Sequence, residues 1–151
     1  MKKHFAGVAL VVVLGILSAC SGDSSSPTEP GVPARTVPLN QEYELRVGET
    51  VRLAGSPQVD VTLVRVFADS RCPIDVQCPT AGTVDAELRV SRPPGASITA
   101  VARFTGAGQQ GVVGLQGYTF LVQRVLPARR SGQEIPQSEY RIFLISSVDR
   151  L

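Results

Sequence analysis

The stretch V-D-A-E-L-R-V-S, residues 84–91, places an apolar residue at every second position. Val84, Ala86, Leu88 and Val90 fall on one side of an extended chain, and Asp85, Glu87, Arg89 and Ser91 on the other. Successive side chains of a strand point to opposite faces, so this pattern describes a ribbon with one face in a core and one in water. A helix would scatter the four apolar side chains around its circumference. The same alternation recurs along the chain. Tyr43, Leu45 and Val47 alternate up to a Gly48-Glu49 turn, and Val51 and Leu53 resume it. Val59, Val61 and Leu63 alternate toward Phe67, and Ile98, Ala100, Ala102 and Phe104 repeat the pattern. Tyr118, Phe120 and Val122 do so before Val125-Leu126-Pro127, and Tyr140, Ile142, Leu144, Ser146 and Val148 close the chain. Gly and Pro punctuate these runs at 55–57, 93–95, 106–117 and 127–136, and no long stretch has helical period. Seven or eight short strands separated by turns predict an all-β domain. The expected form is an antiparallel β-sandwich, Ig-like or a similar small barrel, over residues 39–151.

Outward from this domain, the N-terminus speaks to compartment. Lys2 and Lys3 precede an uninterrupted apolar run, Phe5 to Leu17, of 13 residues. A membrane-spanning helix needs roughly 20 such residues, a signal-peptide core about 7 to 15. The run ends at L-S-A-C, Leu17 to Cys20. This resembles the lipobox of bacterial lipoproteins. The resemblance implies cleavage before Cys20, with residues 1–19 as signal peptide, and lipid on the Cys20 sulfur and amino terminus. Ser21 after the lipid site resembles the pattern that sends lipoproteins to the outer membrane. Several acyl chains would anchor stably where one binds only marginally. An ordinary secretory signal is the alternative. Residues 20–38 are rich in Ser, Pro and Gly and poor in apolar side chains, the composition of a disordered tether.

Composition excludes several chemistries. After residue 19 every remaining base is arginine, 13 against 13 Asp+Glu, so the mature chain is formally neutral. No basic field argues for nucleic acid. His4, the sole histidine, lies in the signal segment, as do both lysines. Without imidazole there is no Ser–His or Cys–His nucleophile and no histidine metal site, and without lysine no Schiff base. Carboxylate acid–base work, oxygen-ligand metal binding and binding without catalysis survive.

Cys72 and Cys78 remain as a pair in D-S-R-C-P-I-D-V-Q-C-P, residues 69–79. An exported compartment favours their oxidation. Thioredoxin-type motifs place two residues between their cysteines, not five, and zinc wants four ligands. A structural disulfide is therefore favoured over a redox pair or a metal clip. The stretch through Gly82 also resembles a motif of small bacterial secreted proteins and lipoproteins, in which D/E-S-R-C-P, a second cysteine and a Trp-Ala/Glu-Gly step lead into an alternating strand. Thr80 stands near where that tryptophan falls. The resemblance supports the fold and the bridge and carries no activity.

A loop fixed on a β scaffold is a natural place for binding, and Arg71, Asp75, Val76 and Gln77 are its candidate binding residues. Arg71 could instead pair with Asp69 or a strand carboxylate to hold the loop. Asp85 and Glu87, on one face of a strand, could join Asp75 as Ca²⁺ ligands, against the plainer reading of a solvated face. Residues 106–111 match G-x-G-x-x-G, but a dinucleotide site needs a following helix and V-V-G-L-Q-G-Y-T-F follows. Arg129-Arg130 could meet anionic lipid or sit as a solvated loop tip. The sequence thus predicts a lipid-anchored envelope protein that binds rather than catalyses, with no cofactor or resident metal. Its expected partners are the membrane through its N-terminal lipid and an envelope protein. An inhibitor-like binder inserting the Cys72–Cys78 loop into a protease cleft and a carboxylate-based hydrolase are the alternatives.

Overall fold

The computed structural model describes residues 34–105 and 111–149. Nine strands run through them: β1 Arg35–Val37, β2 Glu42–Arg46, β3 Thr50–Leu53, β4 Asp60–Phe67, β5 Thr83–Ser91, β6 Ser97–Thr105, β7 Gly111–Leu115, β8 Tyr118–Leu126 and β9 Arg141–Val148. One short 3₁₀ turn, Gln137–Glu139, precedes β9. One sheet has the order β1-β3-β4-β5-β6, the other β2-β9-β8-β7. Every pairing is antiparallel except β1 with β3. The sheets face each other as a sandwich and do not close into a barrel.

The alternating residues supply the core. Val84, Ala86, Leu88 and Val90 of β5 are buried, as are Val61 and Leu63 of β4, Phe120 and Val122 of β8, and Ile142 and Leu144 of β9. Polar atoms that enter this layer are partnered: the Tyr43 hydroxyl lies 2.6 Å from Ser146 Oγ, and Tyr118 donates to the Pro57 carbonyl at 2.8 Å. Desolvation pushes the Tyr43 hydroxyl up to about 12.

The strand count exceeds the expected seven or eight, and both additions lie where composition pointed elsewhere. β1 falls in the Pro-rich segment assigned to the tether; it pairs with β3 and sinks Val37 into the core. The ordered chain thus begins before Leu39. β7 lies in a Gly-rich stretch assigned to a loop. It is held by a two-residue hairpin turn in which Gln116 and Gly117 both take positive φ, 57° and 81°.

Phase also departs from a simple alternation. The β4–β5 register shifts between Leu63 and Arg65, and the β8–β9 register between Val122 and Arg124. The extra residue turns Val66 and Val125 inward. Phe67, which unbroken alternation would bury, lies on the outer face with the Arg65 guanidinium 4.8 Å from its ring centre. Ile98 and Val148 are 44% exposed: β6 is the edge strand of its sheet, and Val148 lies beyond the stretch of β9 that pairs with β2.

Candidate functional site

At one end of the sandwich, β4 and β8 finish and β5 and β9 start. The β4–β5 connection contains the disulfide. Cys72 and Cys78 are bonded, with Cα atoms 5.9 Å apart. Backbone pairing runs past the strands into this loop: Ser70 N–H donates to Thr83 O at 2.7 Å and Cys72 N–H to Ala81 O at 2.9 Å. Gly82 permits the approach. Its φ is +67°, and a Cβ there would lie 1.9 Å from the Ser70 carbonyl oxygen.

Beneath the bridge, Arg71 is buried. Its Nε and Nη2 donate to Asp69 Oδ1 and Oδ2 at 2.8 and 2.6 Å, its Nη1 to Val125 O at 2.6 Å, and Nη2 again to Pro127 O at 2.9 Å. Tyr140 donates its hydroxyl to Asp69 Oδ2 at 3.0 Å. One ion pair therefore ties the stapled loop to the end of β8 and the start of β9. Burial pushes the Asp69 carboxyl up, but Arg71 and Tyr140 together outweigh it and hold the group below the usual carboxylate range. Burial, reinforced by Asp69, raises the Tyr140 hydroxyl to about 12.

The upper rim seats on the β8–β9 connection. Arg129 Nη1 donates to Arg71 O at 3.1 Å, and Ile74 N–H donates to Arg129 O at 3.0 Å. The Asp75 carboxylate accepts the Ser131 N–H at 2.9 and 3.2 Å, which holds it below its ordinary range. Ile74 and Val76 then project outward, 61% and 48% exposed. A shallow cleft of about 240 Å³ lies between the stapled loop, β6 and the end of β8, lined by Arg71, Ile74, Phe104, Arg124 and Arg129 among others. A second, of about 250 Å³, lies across Arg129 between Asp69, Glu134 and Tyr140.

The expected site residues divide accordingly. Val76 and Gln77 are exposed on the loop. Arg71 lies under the loop and pairs with Asp69, the structural arrangement weighed beside the binding reading, and it also lines the first cleft. Asp75 is exposed but hydrogen-bonded to Ser131. The Ca²⁺ grouping does not form, because strand pairing supplies other partners. Asp85 accepts two bonds from Arg103 at 2.7 and 2.8 Å, Glu87 pairs with Arg65, and Asp75 faces the 127–131 turn. Among the described residues no three His, Cys, Asp or Glu side chains cluster as metal ligands. Arg129 and Arg130 stand beside the stapled loop. Cys20 and residues 106–110 of the glycine-rich motif lie outside the described residues; Gly111 opens a strand, not a helix. Sequence reasoning passed over Ile74 and Tyr140. Ile74 was legible as an aliphatic side chain in a loop too short to bury it. Tyr140 looked only like the first apolar residue of the last strand. Comparisons with protein-family models, with curated proteins and with solved structures give no match to this chain.

Proposed function

We propose that this protein is a lipid-anchored cell-envelope lipoprotein that works by binding, with the stapled end of its sandwich as the binding surface. The lipobox-like run from Leu17 to Cys20 supports the anchor and its export to the envelope. The observation that carries the binding reading is the exposure of Ile74 and Val76 on a loop whose backbone is already committed. The bridge, the Ile74–Arg129 and Cys72–Ala81 bonds and the Asp75–Ser131 contact fix it before any partner arrives. Ordering cost is thereby largely met in the free protein. The non-enzymatic reading draws support from the carboxylates: Asp75, Asp85 and Glu87 are engaged in three separate places rather than converging on a cleft. The protease-inhibitor reading is less favoured. The loop curls, with Val76 N–H on Pro73 O at 3.4 Å, where addition to a partner's sheet edge would want an extended strand.

The test is photo-cross-linking in living cells from position 76, with position 148 at the opposite end as control. Specific adducts from 76, absent from 148 and lost when Cys72 and Cys78 are both replaced by serine, are expected. Identical adduct patterns from the two positions would remove the stapled end as the binding surface.

A further inference from the structure

The cleft between the stapled loop, β6 and the end of β8 carries one sign of charge on its walls. Arg71, Arg124 and Arg129 line it, and among the described residues no carboxylate does. The first two charges are already met. Arg71 is held by Asp69, and Arg124 lies over the Phe143 ring, 3.8 Å from its centre, with its Nη2 2.8 Å from Glu42 Oε1. Arg129 has no ion-pair partner among the described residues; Glu134 borders the second cleft with it but stands outside ion-pair distance. Arg129 is nonetheless fixed in place, because its Nη1 donates to Arg71 O at 3.1 Å and its carbonyl accepts the Ile74 N–H at 3.0 Å. The remaining walls are apolar, Ile74, Phe104 and Val125 among them.

We infer that this cleft receives the C-terminal end of a partner protein chain, with its free carboxylate on Arg129 and its last apolar side chain against Ile74, Phe104 and Val125. The inference rests on the reading of the stapled end as the binding surface and names the partner group that this end recognises. A single unmatched guanidinium calls for a monoanion. A carboxylate suits it, since its two oxygens can each accept from the planar fork. Size separates a chain end from a free small acid. At about 240 Å³ the cleft falls below the roughly 300–1,000 Å³ of sites that enclose small molecules. A chain end needs no such enclosure. It continues outward over the loop, where Ile74 and Val76 are exposed, and draws further contact from them. The loop wall is fixed in the free protein by the disulfide and the Cys72–Ala81 bond, so little ordering is needed to receive it.

The full mature chain, kept in detergent micelles, is titrated by calorimetry with the peptide acetyl-Gly-Ala-Leu, with its C-terminal amide and with acetyl-leucine. The expected result is binding of the peptide acid at least about tenfold tighter than the amide. It should also bind about threefold tighter than acetyl-leucine, which lacks the chain that runs over the loop. Arg129→Gln is expected to bring the acid down to the amide's level and to leave the amide unchanged. Arg129→Lys keeps the charge without the fork and should retain part of the preference. Arg130→Gln removes a neighbouring exposed charge that does not line the cleft, and the preference should stay intact. Equal affinity for acid and amide would overturn the inference, as would a preference that survives Arg129→Gln or disappears with Arg130→Gln. Acetyl-leucine binding as tightly as the peptide would give the cleft to a small acid and overturn the chain-end assignment. The acid–amide contrast is read on the unaltered chain, so it stands whether or not a variant folds. The wider reading is decided separately, by adducts from position 76 in cells. Such adducts without an acid preference would keep the stapled end as the binding surface and remove the carboxylate as what it recognises.

Discussion

Arg71 and Asp69 form a charge pair that water scarcely reaches, with side chains 9% and 7% exposed. Such a pair costs desolvation on both sides, and its net worth is modest. Removing one member is another matter, because the survivor stays buried with its charge. Arg71→Gln strands the Asp69 carboxylate and frees the Val125 and Pro127 carbonyls, and is expected to destabilise the fold by about 3–5 kcal/mol in urea unfolding. A pH signature accompanies it. The folded Asp69 carboxyl titrates below its unfolded value of about 4. The stability it contributes is therefore present above about pH 4 and is lost as pH falls through the lower folded value. Asp69→Asn should flatten the fall in unfolding free energy below about pH 4. Some slope should survive, since Arg103 holds Asp85 below the usual range in the same direction. If wild type and Asp69→Asn lose stability in parallel on acidification, the network is not set by charge. The sequence could pair Arg71 with a carboxylate two positions away. It could not find Tyr140, 71 residues from Asp69, because the contact depends on two connections meeting at one end of the sandwich.

Period-two alternation located the interiors of β2 to β6, β8 and β9, because those strands bury one face and wet the other. It failed where a strand owes its existence to its neighbours. β1 is three residues long, with no room for a pattern, and β7 contains two glycines. Each is recruited by an adjacent strand, β3 and β8 respectively. Bulges defeat the pattern differently, since one extra residue reverses which face every later side chain takes. β4 offers a direct test. Alternation counted from Val61 would bury Phe67, whereas the structure buries Val66, at 1% exposure, and leaves Phe67 stacked against Arg65. Val66→Ala removes methyl groups from a closed core and should cost about 1–3 kcal/mol. Phe67→Ala loses an outer-face cation–π contact worth about 0.5–1 kcal/mol and some partial burial. Chemical denaturation should thus rank the smaller residue as the more costly to truncate. The reverse ranking would mean that β4 has no bulge and that its outer half is in the opposite phase.

At the scale of the whole molecule, the two ends of the sandwich differ. The stapled loop and the β8–β9 connection share one end; the β7–β8 hairpin and Asp149 share the other, and β1 starts level with Ile98, near that second end. This polarity was invisible in the sequence, because it depends on which strand ends meet across the two sheets. Whether the chain ahead of β1 ends in lipid is a separate question, and the composition provides a chemical test of it. Beyond residue 19 the chain has no lysine. A fully acylated mature lipoprotein would therefore carry no amine at all, because its α-amino group is consumed as an amide. An amine-reactive ester applied to the purified, denatured mature protein should add no mass. One adduct on a chain that carries lipid mass would mean a thioether-linked diacylglycerol with a free α-amine, an anchor still of two chains and still stable. One adduct on a chain without lipid would mean cleavage by an ordinary secretory route. The protein would then have no lipid anchor, and Ile74 and Val76 would have to find their partner in solution.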